Sequence, residues 1–153
     1  MMQLNELLSP KRCIHAMPVS SKKRLLEKMS EILHEDEPEL DEHAAFHSLI
    51  EREKLGSTGI GHGIALPHGR LKGLRKAVGA FAILEKGMDY DSVDQEPVRM
   101  VFALLVPESA TEEHLQLLSQ LATILSNENF RERLLHARTD QEIFNHFASQ
   151  DSG

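Results

Sequence analysis

An apolar run at Val98–Val106 constrains the fold of this chain more than any other stretch. Its residues are Val-Arg-Met-Val-Phe-Ala-Leu-Leu-Val, with Arg99 as the one polar member, and Pro107 ends it. A strand with one face in water would alternate apolar and polar residues, and this run does not. It therefore predicts a central strand that other elements cover on both faces.

Other strands are predicted before this run. Lys76–Glu85 carries a mostly apolar segment between polar ends, which is typical of a buried strand. Gly63–Leu66 predicts a short strand that leads into a turn at Pro67-His68. The turn-rich stretch Gly87–Gln95 is expected to hold a short edge strand or a hairpin.

Capping signals and apolar spacing predict helices before and after these strands. The first runs from Ser20 or Ser21 to about His34, the second over about Glu39–Arg52, and the third from the capping box Ser109–Glu112 to about Leu125. A fourth helix follows the cap Asn127, and a fifth follows the capping box Thr139–Glu142. A short apolar piece, Leu4–Leu8, precedes them. In the helix that ends at about Leu125, the core face is expected to hold Leu115, Leu118, Ala122 and Leu125, with Leu121 beside them. This order predicts an α/β fold in one domain, residues 1–153, with helices on both faces of a small mixed parallel/antiparallel sheet.

Composition excludes several classes of function. The net charge of −7 argues against bulk binding of nucleic acid, which requires a basic surface. The single cysteine, Cys13, excludes an internal disulfide and a cysteine-based metal cluster. The N-terminus lacks the pattern of a signal peptide, and no apolar run reaches the length needed to span a membrane. We therefore expect a cytoplasmic protein without membrane insertion.

Chemistry is concentrated between Glu51 and Arg70. Five of the nine glycines lie in the last fifteen residues of this segment, at positions 56, 59, 61, 63 and 69. A backbone rich in Gly, Ser and Thr can turn its N–H groups inward around an anion, and the guanidinium of Arg52 can bind phosphate bidentately. His68 stands between Pro67 and Gly69, where the backbone is both stiff and open. Since imidazole can carry a phosphoryl group covalently, the segment predicts His68 as a phosphate-accepting nucleophile.

The nucleotide-binding motifs do not fit this segment. Gly56–Gly63 lacks the Gly-Lys-Ser/Thr ending with which a phosphate loop contacts terminal phosphates and magnesium. Its glycine spacing also misses the Gly-x-Gly-x-x-Gly dinucleotide fingerprint. The loop is thus a weak signal for phosphate in general and a negative one for ATP, and no cofactor is expected.

Three alternatives compete with the nucleophile hypothesis. His62, His68 and His114 are candidate ligands of a zinc ion, with Glu112 or Glu113 as a base, although their spacing is not a strong ligand motif. Ser57 or Thr58 as a nucleophile lacks the strand–elbow–helix signature. Any one of the histidines is also compatible with a purely structural or surface role.

The motif Arg52–Gly61, followed by Gly63–Arg70, resembles the phosphorylation-site segment of the mannitol/fructose-type enzyme IIA domains of the bacterial phosphoenolpyruvate phosphotransferase system. The likeness extends through Ser21–Arg24, Phe102–Pro107 and His114-Leu115, so it covers nearly the whole chain. Within that family the chain is most similar to the nitrogen-regulatory branch. One departure is His62, where the family pattern has Asn between the glycines.

The resemblance implies roles for particular residues. His68 would accept a phosphoryl group from a phosphorylated HPr-like carrier protein, His114 would be the supporting histidine, and Arg52 would stabilise the phosphate. We further predict that Ser57 and Thr58, with backbone N–H groups at Gly59 and Gly61, bind the phosphoryl oxygens. No metal is required.

Two functions follow from these expectations. In the first, phosphorylation of His68 is a signal that controls docking to nitrogen- or potassium-related target proteins. In the second, the chain is a sugar-specific enzyme IIA that passes the phosphoryl group to a separate enzyme IIB. The resemblance to the nitrogen-regulatory branch favours the first.

Overall fold

Six strands and six helices make up the part of the chain that the computed structural model describes, residues 3–150. In chain order they are α1 (Leu4–Leu7), a 3₁₀ turn (Pro10–Arg12), β1 (Cys13–Met17), α2 (Lys22–Asp36), α3 (Glu42–Lys54), β2 (Gly59–Gly61), β3 (Ile64–Ala65), β4 (His68–Leu71), β5 (Val78–Met88), β6 (Val98–Pro107), α4 (Thr111–Leu125), α5 (Glu128–Leu135) and α6 (Asp140–Ser149). Among these residues, no helix is both long enough and apolar enough to cross a bilayer.

The strands form one mixed sheet in the order β1-β5-β6-β3-β2. β1 runs parallel to β5, β5 antiparallel to β6, and β2 antiparallel to β3. Both β3 and β4 pair in parallel with β6, β3 near its start and β4 near its end. The sheet thus carries His68, the first residue of β4, beside the centre of the domain rather than on an outlying loop.

The predicted central strand is confirmed, with a separate hydrophobic core on each face. Alternate side chains of β6 enter one core with α1, α4, α5 and α6; these are Met100, Phe102, Leu104 and Val106. The side chains between them, Val101, Ala103 and Leu105, enter a second core with α2 and α3. Burial on both faces explains why the run shows no apolar–polar alternation, and it confirms the predicted α/β fold class.

Most predicted helix starts are confirmed by side-chain caps. Ser21 accepts a hydrogen bond from the backbone N–H of Arg24, Asn127 from that of Phe130, and Thr139 from that of Glu142. The second helix begins later than predicted, at Glu42, because Asp41 caps it by accepting from the N–H of Ala44.

The predicted start of α4 is wrong, and so is the predicted core position of Leu115, whereas Leu118, Ala122 and Leu125 pack in or against the core as predicted. Its N-cap is Ala110, which has no side-chain cap, and not the Ser109 capping box. A turn after β6, in which the N–H of Ala110 donates to the carbonyl of Pro107, sets this start. The buried face of α4 consists of His114, Leu117, Leu121 and Leu125. Leu115 lies off this face and is 65% exposed.

The predicted turn at Pro67-His68 is also corrected. Pro67 has no N–H for the ladder, so β3 ends before it, and the carbonyl of Pro67 still accepts from the N–H of Leu104. His68 then resumes pairing with β6 as the start of β4. The stretch Gly87–Gln95 was expected to hold a short edge strand or a hairpin, but Gly87 and Met88 end β5 and residues 89–95 contain no strand. The short strands β1 and β2 were not predicted.

Candidate functional site

The imidazole of His68 is held by the backbone beside it. Its Nδ1 lies 2.7 Å from the carbonyl oxygen of Leu66. A carbonyl can only accept, so Nδ1 carries the hydrogen and Nε2 keeps the lone pair in the neutral ring. Burial lowers the pKa of His68, and the charge of Arg52 lowers it further, while the Leu66 hydrogen bond and Glu53 act in the opposite direction. His68 is therefore a neutral imidazole near pH 7, with Nε2 as its nucleophilic atom.

Close packing around Gly69 fixes the strand that carries His68. A Cβ at Gly69 would collide with the hydroxyl of Ser48 on α3 and would lie 3.1 Å from the Ser48 backbone carbonyl oxygen. The Ser48 hydroxyl also donates to the carbonyl of Arg70, 2.7 Å away. A glycine after the histidine thus lets β4 lie directly against α3.

His114 meets His68 from α4. The two ring centroids are 5.1 Å apart, and the rings are nearly perpendicular, at 71°. His114 is buried, and its Nε2 has no hydrogen-bond partner within the protein. Burial lowers its pKa to about 4, with smaller contributions from the charges of His68, Arg70 and Arg52. The site thus pairs two neutral imidazoles, one of which has an unsatisfied nitrogen.

Arg52 supplies a positive charge at the same place. It lies in the last turn of α3, where a cation is electrostatically favoured. Its guanidinium donates to the carbonyl of Gly56, 2.9 Å away, and its charge depresses the pKa of both imidazoles. One hydrogen bond leaves most of the five N–H donors of a guanidinium for other acceptors.

The loop hydroxyls predicted to bind phosphate are engaged within the protein. Ser57 Oγ donates to the carbonyl of Tyr90 at 2.8 Å and accepts from the N–H of Gly59 at 3.1 Å. Thr58 Oγ1 donates to Glu53 at 2.6 Å. Gly61 ends β2 with a φ of 98°. These contacts shape the loop, and direct phosphate binding by its residues remains a prediction.

Sequence reasoning missed Glu53, the residue after Arg52. Its side chain is only 2% exposed, and Lys22 on α2 forms an ion pair with it at 3.1 Å. A signal was present in the sequence, because Ala45, Leu49 and Glu53 follow one another at intervals of four and so lie on one face of α3. A carboxylate on the buried face of a helix requires partners, and it is often functional.

His62 lies in the two-residue turn between β2 and β3, exposed to solvent. Its φ is 58° and that of Gly63 is 77°, and its backbone N–H donates to Asp94. Within residues 3–150, no three His, Cys, Asp or Glu side chains are grouped so as to hold a metal ion. The zinc alternative therefore has no ligand set in the described chain.

A family model matches residues 6–150, nearly the whole chain. Its description is the phosphoenolpyruvate-dependent sugar phosphotransferase system, EIIA 2. The chain belongs to this family. Membership of the EIIA 2 family implies a role in carrying or transferring phosphoryl groups, and it agrees with the resemblance found in the sequence.

Two relatives place the chain near the nitrogen-regulatory branch of the EIIA 2 family. A nitrogen regulatory protein of Pseudomonas aeruginosa is 44% identical over 144 residues, which cover 94% of each chain. The crystal structure of nitrogen regulatory protein IIA-Ntr from Neisseria meningitidis has a TM-score of 0.87 and 41% identity, and the match covers 94% of this chain and 98% of that one. The predicted family and its nitrogen-regulatory branch are thus confirmed.

A more distant EIIA structure shares the fold. It is the mannitol enzyme IIA of Escherichia coli in its complex with phosphorylated mannitol enzyme IIB, with a TM-score of 0.75 and 21% identity. The match covers 93% of this chain and 97% of that one. Mixed sheet and flanking helices are therefore common to the sugar-specific and nitrogen-regulatory members.

Proposed function

We propose that His68 accepts a phosphoryl group from a phosphorylated HPr-like carrier, and that the phosphorylation state then controls docking to nitrogen- or potassium-related target proteins. The observation that carries the proposal is the hydrogen bond between His68 Nδ1 and Leu66, which leaves the lone pair on Nε2, the proposed nucleophile. In this proposal, residues 1–153 act as one phosphoryl-acceptor unit.

The proposed transfer needs little beyond alignment and charge. Nε2 of His68 forms a bond to phosphorus as the bond to the donor imidazole breaks, and the electron pair of that bond returns to the donor nitrogen. Arg52 has free donors for the phosphoryl oxygens, which carry most of the charge in such transfers. His114 has an unpartnered Nε2 beside the same ring, and a protonated Nε2 there would donate to one oxygen.

A regulatory role is favoured because nitrogen regulatory proteins match 94% of this chain at 44% and 41% identity. A fructose-specific EIIA component of 41% identity matches only 67% of it. Phosphorylation adds about −1.5 to −2 charge, enough to reverse the preference of a docking surface for a partner. Leu115, which follows His114 in α4, is 65% exposed and offers an apolar contact to a partner. Binding of targets would then differ between the two states.

Intact-mass measurement tests the proposal directly. The protein is incubated with phosphoenolpyruvate, enzyme I and the HPr-like carrier, then challenged with acid and with alkali. We expect one added phosphoryl group that is labile in acid and stable in alkali. His68→Ala should gain none, whereas His62→Ala, which removes an exposed histidine from a nearby turn, should gain one.

No transfer to the wild type, while the carrier itself becomes phosphorylated, would overturn the relay. Transfer to His68→Ala would show that another residue is the acceptor. Either result would leave the fold and the family unchanged, because the fold is seen in the structure and the family follows from the match of the EIIA 2 model to residues 6–150.

The second candidate is a sugar-specific enzyme IIA that passes the group to a separate enzyme IIB. It is favoured by the description of the family model, which names the sugar phosphotransferase system. Titrating the phosphorylated protein with a fructose or mannitol enzyme IIB separates the two candidates. Rapid loss of label supports the sugar carrier, and retained label supports the regulator.

A further inference from the structure

A buried network joins four segments of the chain beneath the candidate site. Both carboxylate oxygens of Glu53 are engaged by Thr58: Oε1 accepts from its backbone N–H at 2.9 Å, and Oε2 accepts from its hydroxyl at 2.6 Å. Lys22 approaches Oε1 at 3.1 Å and also lies 4.4 Å from the ring centre of Tyr90. The hydroxyl of Tyr90 is 3.2 Å from Thr58 Oγ1. Thr58 thus contacts Glu53 on α3 and Tyr90 after β5 directly, and Lys22 on α2 contacts those two partners.

From Thr58 the contacts continue to the nucleophile. The carbonyl of Thr58 accepts from the backbone N–H of Leu66 at 3.0 Å. The carbonyl of Leu66 in turn accepts from His68 Nδ1 at 2.7 Å. A buried carboxylate is therefore connected to the imidazole through two backbone segments, each held by hydrogen bonds. A displacement of Thr58 would move Leu66, and with it the acceptor that orients His68.

We propose that Glu53 is a positioning residue for His68: it fixes Thr58 and Leu66 so that His68 Nδ1 stays protonated and Nε2 stays free, and its negative charge supports the phosphorylated ring. The inference rests on the proposed function at His68. Glu53 does not touch the phosphoryl group in this scheme, and it acts through Thr58 and Leu66.

The charge of Glu53 matters because the His68 ring is positively charged after the proposed transfer. When Nε2 bonds to phosphorus and Nδ1 keeps its hydrogen, the imidazole carries a positive charge. The other groups that face His68 do not stabilise a positive ring. The charge of Arg52 on α3 lowers the pKa of His68, and His114 on α4 is a neutral ring. Arg70 on β4 adds a further positive charge that is felt by His114. Among the groups that act on His68, Glu53 is the negative one.

The test compares Glu53→Gln with a matched control, Glu51→Gln. Both variants remove one carboxylate from α3, but Glu51 is exposed and its partner is Lys54. The His68 ring is followed by NMR in the unphosphorylated protein, which gives its tautomer and pKa without any partner. Phosphoryl uptake from the carrier is then timed for all three proteins.

We expect Glu53→Gln to stay folded, to titrate His68 at lower pH than the wild type and to take up phosphate about tenfold or more slowly. The pKa falls because the charge that raises it is gone. Glu51→Gln should match the wild type in each measurement. If Glu53→Gln is folded and its His68 titrates as in the wild type, the proposal is overturned. Slower uptake alone would not support it, because a merely structural role of Glu53 would also slow uptake.

If Glu53→Gln does not fold, the variants Thr58→Val and Thr58→Ser test the proposal instead. The valine removes the hydroxyl that binds Glu53, and the serine restores it. Slow uptake and an altered His68 tautomer in Thr58→Val, with recovery in Thr58→Ser, support the proposal, and wild-type behaviour of Thr58→Val overturns it. Failure of the relay itself is distinguishable, because the wild type would then gain no phosphate while its His68 titration remained measurable.

Discussion

The rings of His68 and His114 meet nearly edge to face, with centroids 5.1 Å apart, although 46 positions separate them in the chain. Two protonated imidazoles at this distance would repel each other, and burial disfavours the charged form of each. Burial lowers both pKa values, and the charge of His68 lowers that of His114 further. The pair is therefore neutral near pH 7, which is the state that the proposed nucleophile His68 needs before transfer.

This pairing predicts a loss of stability in mild acid. The pKa of His114 is about 4 in the folded protein and about 6.5 in the unfolded chain, so the unfolded chain binds more protons between those values. The stabilisation is complete above pH 6.5 and is lost as the pH falls toward 4. We expect His114 to contribute about 1 kcal/mol of free energy of unfolding per pH unit in this window. Urea unfolding at several pH values measures it.

His114→Gln provides the comparison for this effect, because glutamine does not titrate. Its free energy of unfolding should fall less steeply than that of the wild type between pH 6.5 and 4. Equal slopes for the two proteins would show that His114 is not held neutral by the fold. Measurements above pH 7 give the pH-independent cost of the substitution.

Removing Arg52 should affect transfer more than folding. The hydrogen bond from Arg52 to the carbonyl of Gly56 is exposed to solvent. Arg52→Ala should therefore lower the free energy of unfolding by at most about 1 kcal/mol. Since Arg52 is proposed to bind the phosphoryl oxygens, its loss should slow uptake by about a hundredfold. Intact-mass time courses and urea unfolding measure the two effects.

Lys54→Ala is the matched control, since it removes another cation from the last turn of α3. We expect uptake close to that of the wild type, because Lys54 pairs with Glu51 at the surface. If Arg52→Ala unfolds the protein instead, the role of Arg52 is structural. Arg52→Lys should recover only part of the rate, since an ammonium group cannot bind phosphate bidentately.

His62→Asn should raise stability slightly. Both residues of the β2–β3 turn have positive φ, a feature of type I′ turns, in which Asn-Gly is the preferred pair. The gain should be a few tenths to about 1 kcal/mol, measured by thermal or urea unfolding. Gly63→Ala, which places a Cβ at φ 77°, should lower stability by about 1 kcal/mol. A destabilised His62→Asn would indicate that the histidine ring itself contributes to the fold.

Arg12→Met should destabilise the protein strongly. This buried guanidinium donates to the carbonyls of Leu7 and Gly79 and pairs with Asp36 at 2.7 Å. Methionine replaces its apolar stem but removes the donor from both carbonyls, and it leaves the Asp36 carboxylate with only the hydroxyl of Ser9. We expect a loss of about 3 kcal/mol in urea unfolding, against little change for Lys11→Met at the exposed neighbouring position. A loss below about 1 kcal/mol would show that water replaces the guanidinium.

Local sequence patterns predicted the elements whose signals lie within a few neighbouring residues. Val98–Val106 is apolar throughout because both of its faces are buried, and side-chain oxygens of Ser21, Asn127 and Thr139 mark helix starts because the first turn has unpaired N–H groups. The same reasoning failed at Ala110, where the path of the chain after β6 sets the helix start without any cap. Short strands such as β1 and β2 escaped for a similar reason, since they depend on partners distant in sequence.

By itself, the sequence determined the class of fold, the nucleophile candidate at His68 and the cation at Arg52, because those depend on nearby residues and on motif. Only the tertiary structure decided what surrounds them. Pairing of β4 with β6 turned an expected turn into a strand, and packing of α3 and α4 brought Glu53 beneath the loop and His114 against His68. Burial and charge at that junction, which no local pattern encodes, set the ionisation of both rings.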